Sequence, residues 1–197
     1  MHAPLNLDLR DGWWRDLSAR YADPPRAYHG VRHLEEVLLR WGQVDAVALW
    51  QDRASSFAAL CLHDAVYVAG APDNEANSAE LAESWCARFC PDAKPSLVAQ
   101  WVLLTAQHGK LDAKDLDPQA ALVLDCDMAI LGESPRRFAL YERQIRQEYR
   151  EVPELLYLSG RRSFLQGLLK RPIYHSTFFS RLLEARARIN VQEALKH

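Results

Sequence analysis

Prolines at 95, 118, 135, 153 and 172 each stand near the head of a stretch whose apolar residues recur every three to four positions. Proline fixes φ and lacks an N–H, so it is tolerated in the first turn of a helix and breaks a helix interior. These positions divide the chain into helices over about 95–108, 118–131, 135–149, 153–170 and 173–195, with another over about 74–89. Upstream, Leu9, Trp13, Trp14 and Leu17 keep helical spacing as far as Tyr21, where Asp23-Pro24-Pro25 ends the segment. Val31, Leu34, Val37, Leu38 and Trp41 form the next stripe. A third helix runs from about Arg53 to Tyr67 and meets the turn text of residues 69–74. The period-two alternation of strands is almost absent. The expected fold is all-α: about eight to nine helices in a single compact domain over 1–197, with a core at about 21–150 and C-terminal helices at about 153–195 packed on it.

Composition narrows the function classes. The chain has 197 residues, with 24 Lys and Arg against 26 Asp and Glu, for a formal charge of −2. A domain of this length buries roughly 70% of its unfolded surface, so it folds without disulfide or metal, and any metal would serve chemistry. The near-neutral balance provides no field for nucleic acid or an anionic membrane, and neither partner is expected. Only eight glycines occur, and neither G-x-G-x-x-G nor G-x-x-x-x-G-K-[ST] is present, which argues against Rossmann and P-loop nucleotide binding. The longest uncharged run, Pro95 to Gly109, contains Gln, Ser, Thr and His and is shorter than a spanning helix. The N-terminal text lacks the basic and apolar regions of a signal peptide, so a cytoplasmic location is expected. Cys61 and Cys126 lie in apolar helical text, and Cys86 and Cys90 form a lone C-x3-C. All four read as reduced thiols.

His2 and His197 lie at the termini, leaving His29, His33, His63, His108 and His175 to explain. His63-Asp64 follows the apolar run Phe57-Ala58-Ala59-Leu60-Cys61-Leu62, with no Lys or Arg within a helical turn. A buried carboxylate without a cation is costly, so Asp64 calls for one. Asp125 and Asp127 interrupt the apolar stretch 122–131. Two residues apart is about 200° around a helix, so one of them serves a site and the other a cap, a helix contact or a supporting role. His29 and His33, spaced i and i+4, share one face if helical.

The blocks Arg26-Ala27-Tyr28-His29-Gly30-Val31-Arg32-His33, His63-Asp64-Ala65-Val66-Tyr67, Asp73-Asn74-Glu75 with Ser78, and Asp125-Cys126-Asp127-Met128-Ala129-Ile130-Leu131-Gly132 occur in that order. They resemble the H…HD…D signature of the HD superfamily of metal-dependent phosphohydrolases, and most closely a small bacterial branch of predicted HD phosphohydrolases, over about residues 10–190. The resemblance implies an HD-type helical domain in which His33, His63, Asp64 and Asp127 hold a divalent metal ion. Asp127 is preferred to Asp125 because the family's last acid typically follows a small residue and precedes apolar helical text. Two imidazoles and two carboxylates leave octahedral positions for water and a phosphate oxygen. Among Mn, Fe, Co, Mg and Zn this favours Mn or Fe, with one or two ions per site.

Two ligand carboxylates cancel the charge of one divalent ion, so phosphate needs further charge or donors. The substrate-binding candidates are Arg26, by a bidentate phosphate contact, and His29 and His108, by hydrogen bonds to phosphate or as ligands of a second ion. Arg26 also reads as a cap of the Asp23-Pro24-Pro25 turn, and His108 as a helix-terminal residue. Asp64, Asp73 and Glu75 are the catalytic residues, although Asp73 and Glu75 equally suit the N-terminus of the next helix. Tyr67 stands where some HD branches carry a catalytic Glu. The expected activity is metal-dependent hydrolysis of a small phosphate ester, a nucleotide among them, by activated water. The alternatives are a nucleotide- or phosphate-sensing module with little turnover, and a di-iron oxygenase using His29, His108 and Asp125 as extra ligands. Homo-oligomerisation is left open.

Overall fold

Among residues 12–196, which the computed structural model describes, helices supply the regular structure and no strand forms. Leu9 of the first apolar stripe, together with His2 and His197, lies outside the described residues. In chain order the helices are α1 (Trp13–Tyr21), α2 (Val31–Ala46), α3 (Arg53–Leu62), α4 (Asn74–Ala79), α5 (Ala82–Phe89), α6 (Pro95–Thr105), α7 (Pro118–Met128), α8 (Pro135–Glu148), α9 (Glu154–Leu169) and α10 (Thr177–Ala194). Short 3-10 turns occupy Ala113–Asp115 and Ala129–Gly132. With α4 and α5 counted as the one interrupted helix expected over 74–89, the number is nine, as the sequence predicts.

Pro95, Pro118 and Pro135 open α6, α7 and α8, and Pro153 stands at the N-cap of α9. Several boundaries differ from expectation, among them the ends of α6 and α7, which stop at Thr105 and Met128. α3 stops at Leu62, so His63 and Asp64 lie in the turn beyond it and the helix does not continue to Tyr67. α10 starts at Thr177 and not near 173, because side chains take the preceding backbone donors. Ile173 and Tyr174 N–H donate to Glu184, and His175 and Ser176 N–H to Asp125. Donors satisfied this way need no helical carbonyl. The break at Glu80 and Leu81 carries neither proline nor glycine, so nothing in the local sequence signals it.

The described residues form two compact units, divided between Ala106 and Gln107. In the first, α3 is central: Ala54 through Leu62 are all buried, and α2, α5 and α6 pack against it. A helix apolar or small on every side must be surrounded, and each buried Leu contributes roughly 2 kcal/mol. Asp52 caps α3 by accepting from Ser55 N–H at 3.0 Å. Trp41 Nε1 on α2 donates to Ser56 Oγ at 2.9 Å, satisfying both polar groups inside the seam. The thiols of Cys61, Cys86, Cys90 and Cys126 are all buried. Burial pushes Cys86 up to about 12 and Cys90 up to about 11, which keeps both protonated and unreactive.

In the second unit α10 packs along the 3-10 turn that ends α7. A Cβ on Gly132 would lie 2.5 Å from Leu183 Cβ and 2.9 Å from Tyr174 Oη, so only glycine admits this approach. Asn190 donates from Nδ2 to Leu131 O and Glu133 O, both at 2.8 Å, closing the same turn. Arg188 bonds Glu184 at 2.8 Å and the Arg171 carbonyl at 2.6 Å, bracing the chain between α9 and α10. No helix among the described residues is long and apolar enough to cross a membrane.

Candidate metal centre

The end of α3 is held by side chains that come from elsewhere in the first unit. Past Leu62 the helix leaves carbonyls without intrahelical partners. Tyr21 O–H donates to Cys61 O at 3.2 Å and accepts Asp64 N–H at 3.2 Å. Arg26 donates from Nη1 to Asp64 O at 2.5 Å and to His29 O at 3.3 Å, and from Nη2 to Ala65 O at 3.3 Å. Its guanidinium sits 5.3 Å from the Tyr21 ring and 5.5 Å from the Tyr67 ring. The cation expected to meet phosphate is instead turned to carbonyls at a helix C-terminus, where the macrodipole favours positive charge.

This turn brings three ligand-type atoms together. His33 Nε2 lies 2.9 Å from His63 Nε2, and Asp64 Oδ2 is 3.4 Å from the first and 3.2 Å from the second. His33 and His63 are 1% and 0% exposed, and the Asp64 carboxylate 13%. His63 Nδ1 is 2.8 Å from Leu60 O, an acceptor only, so Nδ1 carries the proton and Nε2 presents a lone pair in the neutral ring. His33 Nε2 faces that lone pair at 2.9 Å, a contact satisfied by a proton between the two nitrogens or by a cation bound to both. An ion about 2.1 Å from each ligand sets neighbouring donors about 3.0 Å apart at right angles and about 3.4 Å apart at tetrahedral angles. The three separations fall in that range, so the donor set fits a divalent ion. Burial alone pushes the Asp64 carboxyl up. The imidazoles of His63, His29 and His33 outweigh it, leaving the group well below the usual carboxylate range and ionised.

His29 precedes Gly30, the N-cap of α2, so it is not on the helix with His33. Its ring nevertheless lies 5.7 Å from the His33 ring and stacks at 4.2 Å on Tyr67. Tyr28 packs 4.7 Å from the His33 ring. Aromatic rings therefore flank the ligand group on the side where an acid was looked for at position 67. Asp73 is exposed at the N-cap of α4 and Glu75 half-buried in its first turn. No hydrogen bond or ion pair joins either to His33, His63 or Asp64 among the described residues.

The residues between Asp73 and Glu75 and beyond do different work. Asn74 and Ser78, one helical turn apart, grip the segment after Asp64. Val68 N–H donates to Asn74 Oδ1 and Asn74 Nδ2 returns to Val68 O, both at 2.9 Å. Ser78 Oγ accepts Val66 N–H at 3.0 Å and donates to Val66 O at 3.1 Å. Both side chains are buried. Both stand in the block Asp73-Asn74-Glu75 with Ser78, and their i, i+4 spacing puts them on one helix face.

In the second unit Asp125 and Asp127 diverge as the helical angle requires. Asp125 is buried and accepts His175 N–H at 2.8 Å and Ser176 N–H at 2.7 Å. It is the acid that serves a helix start, ahead of α10. Asp127 Oδ2 lies 2.7 Å from His108 Nε2, pairing two of the residues singled out in the sequence. α6 ends at Thr105, so His108 belongs to the turn that follows and not to the last turn of a helix. His175, which sequence reasoning left unassigned, carries a depressed pKa through burial and then through the charges of His108 and Arg171.

The structure thus joins His33, His63 and Asp64 in the first unit and His108 with Asp127 in the second. No family model matches the chain, and no curated protein or solved structure matches it.

Proposed function

We propose that this chain is a divalent-metal-dependent phosphohydrolase of the HD type, acting on a small phosphate ester. The observation that carries the reading is the convergence of His33 Nε2, His63 Nε2 and Asp64 Oδ2 within 3.4 Å of one another at a buried helix end. His33, His63 and Asp64 would hold the ion, with manganese or iron favoured. When bound, a divalent ion supplies Lewis-acid charge to phosphoryl oxygen and water of lowered pKa. The chain's own contribution is orientation. The proton on His63 Nδ1 is fixed by Leu60 O, and ionised Asp64 neutralises part of the ion's charge.

His29, stacked on Tyr67, would donate a hydrogen bond to a substrate oxygen. Asp73 and Glu75 are the residues proposed to move a proton to the leaving oxygen.

The test is phosphate release by the purified chain with Mn2+, Fe2+, Co2+ or Mg2+ across nucleotides, sugar phosphates and simple monoesters. Metal-stimulated release that His63→Ala abolishes supports the reading. An inert metal-loaded chain, with His63→Ala indistinguishable from it, overturns it. Tyr67 at the position of an acid, and the lack of any bond from Asp73 to the cluster among the described residues, favour a second reading: a phosphate-sensing module that binds its ligand without turnover. Tight ligand binding with no phosphate released distinguishes it.

A further inference from the structure

We propose that Tyr21 and Arg26 are positioning residues of the metal centre, fixing Asp64 through both sides of its backbone and tying it to the loop that leads into His33. The proposal rests on the reading of His33, His63 and Asp64 as metal ligands. Asp64 lies in a turn after the last residue of α3, so no helical hydrogen-bond ladder sets its orientation. Its N–H is held by Tyr21 Oη at 3.2 Å and its carbonyl by Arg26 Nη1 at 2.5 Å. Both contacts cross about 40 residues of chain: the bonded pairs are 43 and 38 apart.

The same Arg26 nitrogen also bonds His29 O at 3.3 Å. His29 lies four residues before His33, so one guanidinium spans the two chain segments from which the ligands come. Tyr21 uses its single proton on Cys61 O and its lone pair on Asp64 N–H. The phenol is fully buried, and the guanidinium packs 5.3 Å from its ring, so each member of the brace holds the other. Arg26 Nε is buried and makes no hydrogen bond, a cost consistent with the terminal nitrogens being placed for the carbonyls. Lysine cannot reproduce the contacts, because a single ammonium lacks the planar fork that reaches His29 O, Asp64 O and Ala65 O together.

Residues that orient metal ligands typically change affinity by about 10- to 100-fold when removed. The experiment is calorimetric titration of the full chain with Mn2+, paired with the visible absorption spectrum of the Co2+-loaded protein, which reports ligand geometry independently of activity. Tyr21→Phe is expected to weaken Mn2+ binding by about 10-fold and Arg26→Lys by between 10- and 100-fold, each altering the Co2+ spectrum. Val98→Ala, a buried change on α6 away from the brace, is the control. It is expected to lower thermal stability while leaving Mn2+ affinity and the Co2+ spectrum as in wild type.

Mn2+ affinity within twofold of wild type in Tyr21→Phe, with an unchanged Co2+ spectrum, overturns the brace, and this variant decides alone if Arg26→Lys does not fold. The same loss of affinity in Val98→Ala also overturns it, because the effect is then one of stability. A wild-type chain that binds neither Mn2+ nor Co2+ overturns the ligand reading itself, a failure distinct from equal binding by wild type and variants.

Discussion

The turn after α3 and the last half of α7 contain the same chemical types in similar text: an apolar helix, then acids and a histidine partner. They end in different arrangements. After α3 the acid meets two imidazole nitrogens at 3.2 and 3.4 Å, because the turn swings Asp64 back toward His63 and toward His33 on α2. On α7 both acids remain helical and therefore point apart. One caps the chain ahead of α10 and the other pairs with His108. Breaking the helix gathers ligands, and continuing it separates them.

That contrast makes ordered predictions. The largest effect belongs to the first turn: His63→Ala removes one of three converging donors and is expected to lower Mn2+ affinity by more than about 100-fold while the helical circular dichroism persists. Unchanged affinity would dissolve the distinction between the two regions. Next is Asp125→Ala, which strands the buried N–H groups of His175 and Ser176. A loss of about 3 kcal/mol in urea unfolding is expected, with Mn2+ affinity retained. A loss of metal binding with no loss of stability would exchange the roles given to the two acids.

Gly132→Ala sharpens the packing side of the comparison. The added methyl must displace both Leu183 and the Tyr174 hydroxyl, for a cost of about 2 kcal/mol in the same assay. A neutral result would mean that the turn after α7 yields easily. The smallest effect is Ser78→Ala, about 1 kcal/mol, read locally as faster hydrogen exchange at the Val66 amide. Protection of that amide equal to wild type would show that Ser78 does not hold the segment following Asp64.

Several of these features were legible before any coordinates. Pro95, Pro118 and Pro135 mark helix starts through a property of their own ring, so α6, α7 and α8 begin where the text places them. His63-Asp64 at the close of an unbroken apolar run announces a buried carboxylate in need of a partner, and His33 and His63 are that partner. Arg26 was visible as a functional cation but not as the brace of a helix end, because the carbonyls it binds come from residues 29, 64 and 65. Asn74, between two conspicuous acids, and Ser78, just beyond them, stood unassigned for a similar reason. Their partners, Val68 and Val66, are backbone groups and have no signature in a sequence.

By itself the sequence determined the all-α class, the positions of most helices, and the residue types available to hold a cation. These follow from periodicity, proline geometry and the cost of burying charge, which act over a few residues. Tertiary structure alone decided that α3 stops at Leu62, that α10 waits until Thr177, and that Asp125 and Asp127 take separate partners. Each of those outcomes involves a hydrogen-bonding group beyond the local window, as with the 11-residue reach from Ile173 to Glu184, the 19 residues between His108 and Asp127 and the 50-residue reach from His175 to Asp125. Short-range patterns contain no information about which distant donor will arrive.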